Sequence, residues 1–119
     1  MNIEEFRAYC LHKKGVIEDF PFDEKTLVFK VLNKMFALSG LENQPPKVNL
    51  KCNPERAIEL REEYDGLIYP GYHMSKIHWN TLEISELSHQ LIIELVDHSY
   101  DLVVKGMTKK QREELQKVS

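Results

Sequence analysis

The sequence predicts an α+β fold, in which one antiparallel meander sheet of about five strands carries helices on one face. Apolar residues recur at helical spacing near the N-terminus and in the C-terminal third, whereas short runs rich in Val, Leu and Phe lie between them. The turns between these runs are too short for parallel crossovers, which indicates antiparallel neighbours. A chain of 119 residues is typical of a single domain, expected over residues 1–119.

The first helix is predicted to begin at Asn2. A capping Asn followed three residues later by Glu5 is a variant of the capping box. Ile3 and Phe6 then begin one apolar face at helical spacing. Gly15 is the expected stop, because glycine is favoured just beyond a helix C-terminus.

Four strands are predicted next, over residues 16–22, 27–32, 35–39 and 48–52. A two-residue turn is predicted at Asn33-Lys34, because Asn tolerates positive φ. Pro21 indicates an edge or a bulge in the first of these strands.

Alternation in the second and fourth strands assigns the two faces of the sheet. The predicted core face carries Leu27, Phe29, Val31, Val48, Leu50 and Cys52. The face opposite this core face carries lysines, and we expect it to be open to solvent or to a partner.

The C-terminal half is predicted to hold three helices and one further strand. Asn53 with the following Pro is a strong helix start, and residues 77–83 have the composition of a fifth strand. Ser85 is predicted to cap the longest helix, whose wide apolar stripe ends at Gly106. A charged last helix is predicted over residues 108–117.

No motif for catalysis, metal binding or phosphate binding occurs in the sequence. Cys10 and Cys52 are far apart and are expected to be reduced thiols, and the five histidines lack metal-ligand spacing. GxSxG, GxGxxG and GxxxxGK[ST] are absent. We therefore expect a non-enzymatic protein that needs no cofactor and no metal.

The N-terminus begins with acids rather than a basic and apolar leader, and no apolar stretch approaches the roughly 20 residues that span a bilayer. A cytoplasmic protein without membrane contact is expected.

The charge distribution is uneven along the chain. The formal net charge of −3 argues against a broadly cationic nucleic-acid binder. Residues 25–52 nevertheless hold five lysines against Glu42 alone, which is a local charge of +4. Such an island attracts phosphates, although lysine on strands also serves to block edge-to-edge pairing.

The segment from Tyr72 to Asn80 concentrates aromatic, basic and amide side chains, including the only Trp of the chain. Such groups suit stacking and hydrogen bonding to a ligand or nucleic acid. The alternative is that Tyr72 and Trp79 pack in the core. If the segment is a binding site, it forms a pocket for an anionic ligand or a partner's peptide, lined by Tyr72, His73, Lys76, His78 and Trp79.

Several stretches of the chain form a recognisable series. They are DFPF (19–22), VFKV (28–31), KMFAL (34–38), VNLKC (48–52), PGYHM (70–74) with Lys76, HWN (78–80) and DHSYDLV (97–103). In this order they make the chain resemble the MmcQ/YjbR family over about residues 3–115. The turn at residues 32–34 departs from the family pattern because it lacks glycine, and the loop at 41–46 departs because it carries two consecutive prolines.

This resemblance implies a CyaY-like fold and a double-wing arrangement in which β-hairpins reach duplex DNA. We expect a monomer that binds double-stranded DNA weakly and in a salt-dependent way, with lysines on phosphates and amide or imidazole groups on bases or sugars. The expected DNA-binding residues are Lys30, Lys34, Lys47, Asn49, Lys51, Lys76, His78, Trp79 and Asn80.

Overall fold

The computed structural model describes residues 1–71 and 74–118. It contains four helices and six strands, and this α+β architecture agrees with the prediction. In chain order the elements are α1 (Ile3–His12), β1 (Val16–Asp19), β2 (Thr26–Val31), β3 (Lys34–Gly40), β4 (Lys47–Lys51), α2 (Pro54–Glu63), β5 (Ile68–Pro70), β6 (Trp79–Glu83), α3 (His89–Lys105) and α4 (Lys109–Gln116).

The capping box predicted for α1 is present. The Glu5 N–H donates to Asn2 Oδ1 at 2.8 Å, and the Asn2 N–H donates to Glu5 Oε1 at 3.1 Å. α1 ends at His12, and Gly15 then adopts a positive φ of 72°. A Cβ at Gly15 would lie 2.6 Å from Leu115 Cδ1 of α4, so the Leu115 side chain would have to shift, and the positive φ itself favours glycine there.

The six strands form one antiparallel sheet in the order β1-β2-β3-β4-β6-β5. The first four strands make the predicted meander. The strand that the sequence did not predict is β5, because this stretch was expected to be a loop. Its three residues are too few to show alternation, and the ladder to β6, with Ile68 opposite Leu82, defines it.

The turn between β2 and β3 lies one residue earlier than predicted. Positive φ angles occur at Leu32 (46°) and Asn33 (65°), while Lys34 is already in the ladder opposite Val31. Positive φ at both central residues is typical of a type I′ hairpin turn. Leu32 packs against the main core, and this burial offsets the steric cost of its backbone angle.

The prediction that Ser85 caps the longest helix is wrong. Ser88 is the N-cap of α3, and its Oγ accepts a hydrogen bond from the Leu91 N–H at 3.1 Å. Leu87 before the cap and Ile92 inside the helix both lie in the main core. This is the pairing of a hydrophobic staple, and it fixes the helix start at Ser88.

The helices cover the face of the sheet that the alternation pattern predicted. α3 is attached to two strands by one buried hydroxyl: Ser99 Oγ accepts from the Lys51 N–H at 3.0 Å and donates to the Phe36 carbonyl at 2.5 Å. Among the buried residues of this main core are Phe6, Leu27, Phe29, Val31, Phe36, Val48, Leu50, Ile92, Leu95 and Val96.

Candidate nucleic-acid interface

The sheet face away from the helices, called the open face below, is crossed by one row of directly opposed residues. Residues opposite each other in an antiparallel ladder project from the same face, so the pairings identify the members of the row. From β1 to β5 they are Asp19, Val28, Leu38, Asn49, Thr81 and Tyr69.

The open face holds a small apolar cluster. Val28, Leu38 and Trp79 are buried there, with exposed fractions of 0%, 5% and 7%. Met35 and Met74 pack against them. Trp79 therefore packs within the protein, which was the alternative interpretation of this side chain. It lies on the sheet face opposite α3.

Asn49 is also engaged within the protein. Its Oδ1 accepts a hydrogen bond from Thr81 Oγ1 at 2.7 Å. Gly71 comes close to it, because a Cβ at Gly71 would lie 3.3 Å from Asn49 Oδ1 and 3.0 Å from Trp79 Cβ. Gly71 thus lies beside Asn49 and Trp79 at the open face.

Asn80 projects to the helix side of the sheet, and only 2% of its surface is exposed. Its Oδ1 accepts from Arg61 Nε at 2.7 Å, and its Nδ2 donates to the Ala57 carbonyl at 3.4 Å. Arg61 Nη2 also donates to the Lys76 carbonyl. Sequence reasoning missed Arg61, because an Arg on a charged helix looks like a solvated residue.

Three of the predicted lysines lie near the end of the sheet that carries the β2–β3 turn, called the turn end below. Lys34 begins β3, Lys30 lies opposite Met35, and Lys51 lies opposite Trp79. Lys30 Nζ is 3.4 Å from Asp19 Oδ2. Within residues 1–71 and 74–118, Lys34 and Lys51 form no ion pair.

The other lysines of the basic segment lie at the opposite end of the sheet, beside acids. Lys25 Nζ is 3.3 Å from Glu42 Oε2, and Lys47 lies directly opposite Glu83 in the β4–β6 ladder. The loop between β1 and β2, with Asp23 and Glu24, is also at that end. The lysines of residues 25–52 are therefore divided between the two ends of the sheet. Their charge is least balanced by acids at the turn end.

The exposed segment before β6 also reaches the turn end. The His78 carbonyl accepts from the Cys52 N–H at 2.8 Å, which holds this segment beside the residue that follows β4. Lys76 and His78 are both exposed. Tyr72 and His73, which the sequence assigned to a ligand pocket, lie outside the described residues.

Two concavities bear on that ligand-pocket alternative. A surface concavity of about 450 Å³ follows α3, lined by Ser88, Gln90, Leu91, Ile93, Glu94 and Asp97, away from the Tyr72–Asn80 segment. A gap of about 10 Å³ lies beside Asn80 and Leu50. That gap has about the size of one water molecule and holds no larger ligand.

Both cysteines are free and buried. Burial raises the pKa of each thiol above its ordinary value, although Lys13 acts in the opposite sense on Cys10 and Arg56 on Cys52. Unlike a reactive cysteine, neither thiol is therefore disposed to ionise near neutral pH. No cluster of metal-ligating side chains occurs among the described residues. None of the helices in that part of the chain is long and apolar enough to span a membrane.

A histidine–backbone contact links α3 to the start of α2. His98 Nε2 accepts a hydrogen bond from the Asn53 N–H at 3.1 Å, so the neutral ring carries its proton on Nδ1. Burial, and then the charge of Arg56, lower the pKa of His98, while Asp101 and Glu94 act in the opposite sense. The contact is thus made by the uncharged form of the ring.

The fold and this surface define an α+β protein with one antiparallel sheet. Helices cover one face of the sheet, and the open face carries lysines at the turn end. The family model described as YjbR matches residues 11–102. The chain belongs to the YjbR family.

Curated relatives and solved structures agree with this assignment. The chain is 33% identical to the uncharacterised protein YjbR of Escherichia coli strain K12 over 113 residues, which are 94% of this chain and 95% of that protein. It is 36% identical to the uncharacterised protein YbdF of Escherichia coli O157:H7 over 94 residues, covering 78% and 76% of the two chains.

A crystal structure of the Deinococcus radiodurans protein DR2400, described as a DUF419 domain, is similar with a TM-score of 0.89 and 41% identity. The similarity covers 97% of this chain and 88% of DR2400. A Pseudomonas syringae protein follows at a TM-score of 0.73 and 29% identity, over 86% of this chain and 98% of that one.

Proposed function

We propose that this protein binds double-stranded DNA through the turn end of its sheet, without catalysing a reaction. The observation that carries the proposal is the charge of Lys30, Lys34 and Lys51, of which only Lys30 forms an ion pair within residues 1–71 and 74–118. A local cluster of lysines attracts phosphates even when the net charge of the chain is negative.

The shape of the turn end suits a duplex. A two-stranded β-ribbon fits the major groove of B-DNA, and the β2–β3 hairpin has a tight two-residue turn with Lys34 directly after it. Lysine side chains on such a ribbon position the protein on phosphates, and they carry little sequence information themselves. Binding with limited sequence preference is the expected behaviour.

The proposed interface consists of Lys30, Lys34, Lys51, Lys76 and His78. Four residues expected from the sequence are left out of it, for separate reasons. Lys47 lies at the other end beside Glu83, Asn80 is buried on the helix side, and Asn49 and Trp79 are engaged within the protein.

The test is a titration of a fluorescently labelled duplex by anisotropy at several salt concentrations. Four phosphate contacts from Lys30, Lys34, Lys51 and Lys76 are expected to contribute about −3.6 to the slope of log K against log salt. The double substitution Lys34→Gln with Lys51→Gln should weaken binding roughly 60-fold at about 0.1 M salt and reduce the slope by about 2.

The matched control is Lys25→Glu, which changes the net charge by the same amount at the opposite end of the sheet. Its affinity and salt slope should stay close to those of the unaltered protein. Equal losses in the control and the double variant would show that only net charge matters, which contradicts the proposed interface. Absence of binding by the unaltered protein at low salt would exclude DNA as the partner.

A further inference from the structure

The last helix, α4, packs beside the β2–β3 turn. Leu115 of α4 is buried in the main core, close to Gly15 and near Val31, the last residue of β2. Lys14 Nζ donates a hydrogen bond to the Gln116 carbonyl at 2.9 Å. These contacts hold α4 at the turn end, on the helix side of the sheet.

The charges of α4 are arranged in the reverse of the order that stabilises a helix. Lys109, Lys110 and Arg112 lie in its N-terminal half, and Glu113 and Glu114 follow them. The helix macrodipole favours acids at the N-terminus and cations at the C-terminus. Lys109 and Lys110 also lie four residues before Glu113 and Glu114, and such pairs stabilise a helix less when the Lys comes first. Helix stability therefore does not account for the placement of these cations.

The cations of α4 are exposed and unpaired in the described part of the chain. Lys109, Lys110 and Arg112 all face solvent, and none of the ion pairs found among residues 1–71 and 74–118 includes them. Leu115 and Gln116 hold their helix at the turn end, where the lysines of residues 25–52 are least balanced by acids. The positive surface at the turn end therefore continues from the open face onto the helix side.

We propose that α4 supplies a second set of phosphate contacts, so that duplex DNA straddles the β2–β3 turn. This inference rests on the proposed function and extends it to a second surface. Lys30 and Lys51, opposite Met35 and Trp79 of the open face, lie on one flank of the turn. The cations of α4 lie on the other flank, to which Lys34, opposite Val31 of the main core, also projects. A turn placed in a groove has one phosphate strand on each side, which matches two separate positive flanks.

The experiment measures binding of a labelled duplex by Lys109→Gln with Lys110→Gln, beside the control Lys25→Glu. Both variants lower the net charge by two. The α4 variant should bind roughly 60-fold more weakly at about 0.1 M salt, with a salt slope smaller by about 2, whereas the control stays near the unaltered protein. The α4 variant should unfold at the same temperature as the unaltered protein or at a higher one, because the repulsion between its N-terminal lysines and the helix macrodipole is removed.

The outcomes separate this inference from the proposed function. If the strand variant Lys34→Gln with Lys51→Gln loses affinity but the α4 variant matches the control, contacts from α4 are excluded and those from the strand lysines remain. If the α4 variant melts at a lower temperature and its salt slope is unchanged, its cations have a structural role and the inference is overturned. Absence of DNA binding by the unaltered protein overturns both.

Discussion

Arg61 of α2 donates a hydrogen bond from Nε to Oδ1 of Asn80 in β6, at 2.7 Å, on the helix side of the sheet. The same guanidinium also donates to main-chain carbonyls, so one side chain joins α2, β6 and the segment that precedes β6. Hydrogen bonds to a charged group are stronger than neutral ones, and losing one partner leaves the other poorly solvated.

Replacing Asn80 by Ala should lower the free energy of unfolding by about 1–3 kcal/mol, because the substitution removes the acceptor of Arg61 Nε and leaves a gap beside Ala57. Urea unfolding followed by circular dichroism measures the change. Thr81→Val on the other face of the same strand is the comparison, since it removes one hydrogen bond and involves no charged group. A smaller loss for Asn80→Ala than for Thr81→Val would contradict the importance of the Arg61 contact.

Gly15→Ala should be more destabilising than Gly66→Ala. Both glycines have positive φ, 72° and 81°, so both substitutions cost about 1–2 kcal/mol of backbone strain. Gly66 has open space around it, whereas a Cβ at Gly15 would overlap Leu115. Overpacking adds about 1–3 kcal/mol to the cost at Gly15, and thermal or urea unfolding of the two variants measures the difference. Equal losses would show that the Leu115 side chain moves aside without cost, which contradicts tight packing between α4 and Gly15.

Ser88→Ala should lower the free energy of unfolding by about 1 kcal/mol, because it removes the N-cap of α3. Ser85→Ala is the matched control, since Ser85 is exposed and lies outside the helix. Its effect should stay within about 0.5 kcal/mol. The reverse order of the two effects would place the helix start at Ser85.

The pH dependence of stability should include a contribution from His98. Its pKa in the folded chain is below the ordinary value of 6.5, so between the two values the unfolded chain binds more protons. This contribution is fully present above about pH 6.5 and is lost as the pH falls through the pKa of the folded chain. The free energy of unfolding should therefore decrease on acidification through this window.

The variant His98→Gln isolates that contribution, because the other titrating groups of the protein are retained. Its amide oxygen is still able to accept from the Asn53 N–H, but it does not titrate. Urea unfolding from about pH 7.5 to 5.5 should show a shallower loss for the variant. Parallel curves for the two proteins would mean that the His98 ring is not held in its neutral form.

The local elements of this protein followed from its sequence. The capping box at Asn2, the Asn53 cap before Pro54 and the alternation in β2 and β4 each involve residues only a few positions apart. Their hydrogen bonds and side-chain periodicities are decided within one element. The resemblance to the YjbR family agreed with these elements, and the comparisons confirmed it.

The tertiary structure decided what depends on distant residues. β5 exists only through its ladder to β6, and Ser88 rather than Ser85 begins α3 because Leu87 reaches the core. The face on which Asn80 lies is set by the register of β6 against β4.

The five lysines of residues 25–52 look equivalent in the sequence. Strand direction separates Lys34 and Lys51 at the turn end from Lys25 and Lys47 beside acids, and the packing of Leu115 brings α4 to the same end. Charge composition is additive along a chain. The electrostatic potential, however, depends on distances between charges, and only the folded arrangement sets those distances.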